Sequence, residues 1–179
     1  NAMDIAQDMI NSTINNKVST ITGSLNIVSE DVQLSNSNGL ELADESTYIT
    51  GIINAESEFG NIPVSGIGHA SGRTLLNFSA ERIGKDAKNM CIKAINPQKI
   101  DSGKYSIIFE PYSVGELLAF VVAANFNFKT FSEKKSCFSN DLDKKIGIDE
   151  LNLIDDPHIP EGIGTKSIDD EGIETQKRN

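Results

Sequence analysis

The chain has 179 residues, of which 38% are hydrophobic and none is tryptophan, enough for one or two modest cores with a large share of loop. Its 26 acidic against 16 basic side chains give a net charge of -10, which repels phosphate backbones and argues against direct nucleic-acid binding. The longest unbroken apolar run, 117–124, is far too short to cross a bilayer and no signal peptide is recognisable, so a soluble, cytoplasmic protein without membrane contact is expected.

Residues 1–3 (Asn-Ala-Met) read as a cloning remnant, so the fold is reasoned from Asp4 onward. With Asp4 as its N-cap, a first helix places Ile5, Met9, Ile10 and Ile14 at helical spacing. Residues 17–55 are rich in Val, Ile, Thr and Ser, and Val32 and Leu34, then Leu40 and Leu42, alternate with polar residues. Between those pairs Asn36-Ser37-Asn38-Gly39 supplies the positive φ that a tight hairpin needs, so this is an antiparallel β region. Gly60, Pro63, Gly66, Gly68 and Gly72 make 59–72 an irregular loop or bulged edge strand.

A second helix, Ser79 to Ala94, carries one apolar stripe through Ile83, Ala87 and Met90 or Cys91. It stops at Asn96-Pro97, because proline disfavours helical geometry in the residue before it. Tyr105–Phe109 reads as a short strand. Ser113 and Glu116 read as the capping box of a further helix to Asn125, apolar almost all round and therefore predicted to be buried on that strand. Glu150–Ile154 reads as another strand. From Asp155 on, apolar residues are too sparse to bury much surface, so 155–179 is predicted to be poorly packed by itself or ordered by a second chain. The fold class is thus α+β, an antiparallel sheet with packed helices, over 4–154, followed by an acidic, Gly/Pro-rich segment at 155–179.

Residue chemistry yields no catalytic centre. Cys91 and Cys137 have no metal spacing and read as reduced thiols. His69 and His158 fall outside any HExxH pair, and Asp155, Asp156 and His158 read as a solvated turn rather than a metal cluster. Gly66-Ile-Gly68-His-Ala-Ser-Gly72 has GxGxxxG spacing and lacks the strand and acidic partner of a dinucleotide loop; Gly162-Ile-Gly164-Thr-Lys166 is not a phosphate cradle either. Asp169, Asp170 and Glu171 lack the fixed partners that tune a carboxyl for acid–base work, and no GxSxG elbow occurs. No metal, cofactor or catalytic residue is assigned to this chain.

The stretch LNLIDDPHIPEGIGTKSIDDEG, Leu151 to Gly172, resembles the signature of the TldD/PmbA ("modulator of DNA gyrase") family, with Asp155, Asp156, Pro157, Gly162, Gly164, Asp169, Asp170, Glu171 and Gly172 all fitting. SNSNGLEL at Ser35–Leu42, and the helix of 79–94 followed by YSIIFEPYSVGELLAFV, are similar to the family in order and spacing. Family members are considerably longer, so the resemblance implies a chain cut to the central region, with 155–179 leading toward a missing C-terminal domain. Catalytic TldD-type members carry HExxxH on the helix after the apolar strand; the corresponding positions here are Ala119, Phe120 and Ala124, which cannot ligate zinc or activate water. The resemblance therefore implies a non-catalytic PmbA/TldE-like subunit. It would dock a zinc-bearing TldD-type partner or a second copy of itself, and contact extended peptides through the signature residues or free strand edges. The alternative is a non-proteolytic regulator acting on DNA gyrase or on a toxin–antitoxin system.

Overall fold

The computed structural model describes residues 1–178 and divides the chain into two compact units: residues 1–99 together with the segment from Ile154 on, and residues 100–153.

The first unit is built on an antiparallel sheet of β1 (Thr20–Ser35), β2 (Glu41–Ser57) and β3 (Val64–Gly72), in the order β1-β2-β3. The register aligns Ile21, Ala55 and Gly66, then Gly23, Ile53 and Gly68, then Leu25, Gly51 and Ala70. Because side chains alternate across a sheet, all of these share one face. Helices α1 (Ala2–Thr13) and α2 (Ala80–Ala94) supply the other half of the core, which gathers Met9, Ile53, Ala55, Ile83, Ala87 and Cys91. The predicted α+β class is the one observed, and α2 starts at Ser79, whose hydroxyl accepts the Arg82 amide as an N-cap. The three residues that read as a remnant are part of this element: Asn1, rather than Asp4, caps α1, Ala2 and Met3 open it, and Asp4 closes the capping box from the third helical position.

The glycine-rich stretch expected to be irregular is a regular strand. Glycine is needed there because α2 lies directly on β3: a Cβ on Gly68 would collide with the Ile83 carbonyl and stand 2.7 Å from the Ala87 nitrogen, and one on Gly66 would collide with the Cys91 amide. Gly84 does the same for α1, where a Cβ would meet the Met9 carbonyl and the Ser12 hydroxyl. The glycine spacing that superficially suggested a nucleotide loop is thus the footprint of a helix. At the hairpin between β1 and β2, the Asn36 carbonyl accepts the Gly39 amide, the Asn36 side chain accepts the Asn38 and Leu40 amides, and Gly39 takes φ +88°.

The second unit departs from the sequence reading. Residues 105–109 pair with no strand among the described residues, and neither do 150–154. Its helical run comprises α3 (Pro111–Leu117), a π-helical turn over Leu118–Val122 and α4 (Ala123–Phe126), followed by α5 (Phe128–Ser132). Proline opens α3 after Glu110, so Ser113 and Glu116 do not form the expected capping box. Nor is the run buried: Phe120 is 77% exposed and Val121 55%. Without a strand at 105–109 the apolar helix has no layer to pack on. A local frame does form where the Ser136 hydroxyl donates to the Asn125 carbonyl (2.7 Å) and the Phe126 and Phe138 rings meet at 5.2 Å.

Candidate functional site

The segment from Asp155 on is ordered within the first unit. Its two ends meet: Asp155 pairs backbone to backbone with Arg178, and the Asp156 carboxylate takes Lys177 Nζ at 2.7 Å. That ammonium, followed by the His158 amide, holds the Asp156 carboxyl below the usual aspartate range. The Pro157 carbonyl accepts the Lys166 amide. Thr175 donates its hydroxyl to the Lys166 carbonyl at 2.5 Å and lies 3.2 Å from His158 Nε2. With its proton committed to a carbonyl, Thr175 is not an activated nucleophile. Asp169 closes the acidic turn by accepting the Glu171 and Ile173 amides, while Asp170 stands out in solvent, 3.7 Å from Lys166. Gly172 takes φ +80° and rests against Leu34, Leu40 and Leu42 of the hairpin.

Two residues outside the signature hold it on the sheet. Arg73, just past β3, donates Nε to the Gly162 carbonyl (2.9 Å) and one Nη to the Ile163 and Thr165 carbonyls (2.9 and 2.6 Å). Its other Nη reaches the Thr47 carbonyl of β2 at 3.4 Å. Asp44 accepts both the amide and the hydroxyl of Ser167. Gly164 sits in this connector with open space around it. The expectation that 155–179 cannot order itself is corrected over the described residues. Apolar content misjudged the segment because polar and backbone hydrogen bonds, not burial, do the holding.

Where the segment lies along the ribbon it leaves a groove of about 190 Å³, floored by Val32, Leu34 and Ile168 and edged by Glu30, Asp44, Asp169 and Asp170. The outer edge of β1 pairs with no strand among the described residues, so a row of backbone donors and acceptors is open beside it. In the second unit, Ala119 and Phe120 sit in the π-helical turn and Ala124 in α4. The Ala123 amide bonds the Leu118 carbonyl five residues back, and this wide turn brings positions five apart, such as 119 and 124, toward one face. The residues there offer no metal donor, and among the described residues no three His, Cys, Asp or Glu side chains could share an ion. The zinc that the TldD-type resemblance implies at this turn does not fit Ala119, Phe120 and Ala124, whose side chains carry no donor atom.

Comparison with known proteins gives this arrangement a class. Residues 102–179 match the PmbA/TldA metallopeptidase C-terminal domain. An uncharacterised protein of Methanocaldococcus jannaschii is 26% identical over 146 residues, 81% of this chain and 33% of its own. Metalloprotease PmbA of Escherichia coli O157:H7 is 28% identical over 110 residues, 60% of this chain and 24% of its own. A solved structure from Thermotoga maritima, named as a modulator of DNA gyrase, superposes with a TM-score of 0.90 at 22% identity, over 99% of this chain and 41% of that one. The fold is that of the gyrase-modulator structures, and the likeness to PmbA-type metalloproteases lies in the family match over residues 102–179 and in relatives 26–28% identical. The chain spans about a third of the length of the first of these relatives. Among the described residues no helix is long and apolar enough to cross a membrane.

Proposed function

We propose that the chain serves as a non-catalytic, PmbA/TldE-like unit of a cytoplasmic peptide-processing complex, docking a zinc-bearing TldD-type subunit and helping to hold extended peptides. One observation carries this reading: the helical run keeps a turn geometry suited to the family's HExxxH spacing while presenting Ala119, Phe120 and Ala124. Two imidazoles and a glutamate are needed there to bind zinc and activate water. The unpaired β1 edge beside the groove suits an extended peptide, which would add by backbone pairing and needs little side-chain specificity. Of the signature residues, Asp170 and Glu171 stand exposed and are the ones free to meet a partner, whereas Asp156, Asp169 and Gly172 are used within the fold.

The test is reconstitution. The chain alone, then mixed with an HExxxH-bearing relative, is assayed by light scattering, zinc content and cleavage of unstructured peptides. The expected result is no stoichiometric zinc and no cleavage from the chain alone, with a stable complex that cleaves. One tightly held zinc per chain, lost on His158→Ala, sinks the non-catalytic reading; tight binding to gyrase with no complex turns it toward the regulatory alternative.

A further inference from the structure

The connector at 162–165 has little of its own to hold it in place. Its internal backbone bonding amounts to turns, Gly162 to Ile159 and Thr165 to Gly162, and none of its residues is fully buried. Yet three of its carbonyl oxygens converge on one point. Oxygens so arranged repel one another unless a cation lies between them, and the point of convergence is the Arg73 guanidinium. Among the described residues no carboxylate forms an ion pair with that guanidinium, so its charge is answered by carbonyl dipoles. Its planar fork also ties the connector to β2 through Thr47, whose hydroxyl in turn donates to the Arg73 carbonyl.

We infer that Arg73 is a positioning residue: a latch that fixes the connector on the end of the sheet and thereby sets the signature's acidic turn over the β1–β2 hairpin. Asp44 is the second pin, catching Ser167 on the way to that turn, and Gly172 meets Leu34, Leu40 and Leu42 only because both pins hold. The role lies outside the family signature and does not depend on whether the groove takes peptides.

The latch is tested by hydrogen exchange on Arg73→Ala and Arg73→Lys in the full chain. Arg73→Ala is expected to speed exchange at the Gly162, Thr165, Lys166 and Ser167 amides by about tenfold or more, with α2 amides from Ile83 to Cys91 changed less than about twofold. Lysine keeps the charge and loses the fork, so Arg73→Lys should recover less than about half of the lost protection on a logarithmic scale. Unchanged exchange in Arg73→Ala overturns the inference. Full recovery by lysine overturns it too, since charge alone would then suffice. Equal acceleration through α2 and β2, or failure of both variants to fold, reduces Arg73 to a general stability residue.

Discussion

Helix α2 is predicted from the sequence to bury one stripe, and the helical run of 111–126 to hold, from Ser113 to Asn125, a helix apolar almost all round and buried. Only the stripe of α2 is buried. Ile83, Ala87 and Cys91 are wholly buried, while Leu117, Phe120 and Val121 of the other run stand open. Apolar content does not separate them; the run is the more apolar of the two. What α2 has is a shaped partner. Gly66 and Gly68 strip two side chains from β3 so that the helix backbone can settle on the strand, and the alternating partners of β2 fill the rest. The run has no such groove within its unit. Burial is thus a property of two surfaces, and the glycines of β3 are as necessary to it as the apolar stripe of α2.

The sharpest way to break this comparison is to make one substitution in both places. Gly68→Ala puts a methyl group into the Ile83 carbonyl and must push α2 off the sheet, at a cost of about 3 kcal/mol or outright failure to fold. Gly115→Ala, in α3 with nothing within 4 Å, should instead stabilise its helix by roughly 0.5–1 kcal/mol. Denaturant melts of both variants settle the matter; similar effects at the two sites would mean that β3 and α2 are not in contact in solution.

Thiol labelling sharpens the same contrast. Burial first, and the nearby Glu56 carboxylate second, push the Cys91 thiol up from its ordinary range, whereas Cys137 is exposed. At neutral pH Cys137 should react readily with a thiol reagent and Cys91 at least about a hundredfold more slowly, waiting on opening of the α2–β3 core. Comparable rates would show that this core opens locally.

The regular parts of the first unit were legible because periodicity reports burial: the stripe of α2, its Ser79 cap and the Asn-Gly hairpin are all local signals. Strand β3 was not, because its glycines act through helix residues at Ile83, Ala87 and Cys91, far along the chain, and local rules read glycine as loop. The candidate site was half legible. The signature picks out the segment that folds back on the sheet, but nothing near Arg73 or Asp44 points to them, since Arg73 binds carbonyls that every residue possesses and Asp44 meets Ser167 across the fold. The second unit is less legible because an apolar run does not by itself specify a surface that covers it.

A smaller effect separates the latched segment from the core. The Asp156 carboxyl is depressed by Lys177 and then by the His158 amide, so its folded-state pKa lies below the unfolded value of about 3.9. The contribution of a depressed carboxyl is complete above the unfolded value and is lost as pH falls through the folded one. Acidification in that window should therefore loosen the closure of 155–178 before it affects α2, visible as limited proteolysis within the segment. Lys177→Ala should weaken that pH dependence; a segment equally protected at both pH values in the unsubstituted chain would show that Asp156 closes nothing.

The smallest expected effect is the most discriminating. If Val121 were sealed against a strand, Val121→Asp would bury an unpaired charge and cost several kcal/mol. In the structure Val121 is 55% exposed, beside Phe120 at 77%, so the carboxylate can stay in water. Asp and Val have similar helix propensities, and a surface change of this kind alters stability by no more than about 0.5 kcal/mol. Ile83→Asp, by contrast, places the same charge at a position with no solvent contact and should abolish folding of the first unit. Thermal melts of the two variants therefore bracket the comparison. A Val121→Asp variant that loses its unfolding transition, as Ile83→Asp should, would mean that the run's apolar face is covered in solution, and the difference between the two helices would vanish. A melt matching the unsubstituted chain leaves 111–126 as an open apolar helix, free to be met by a partner.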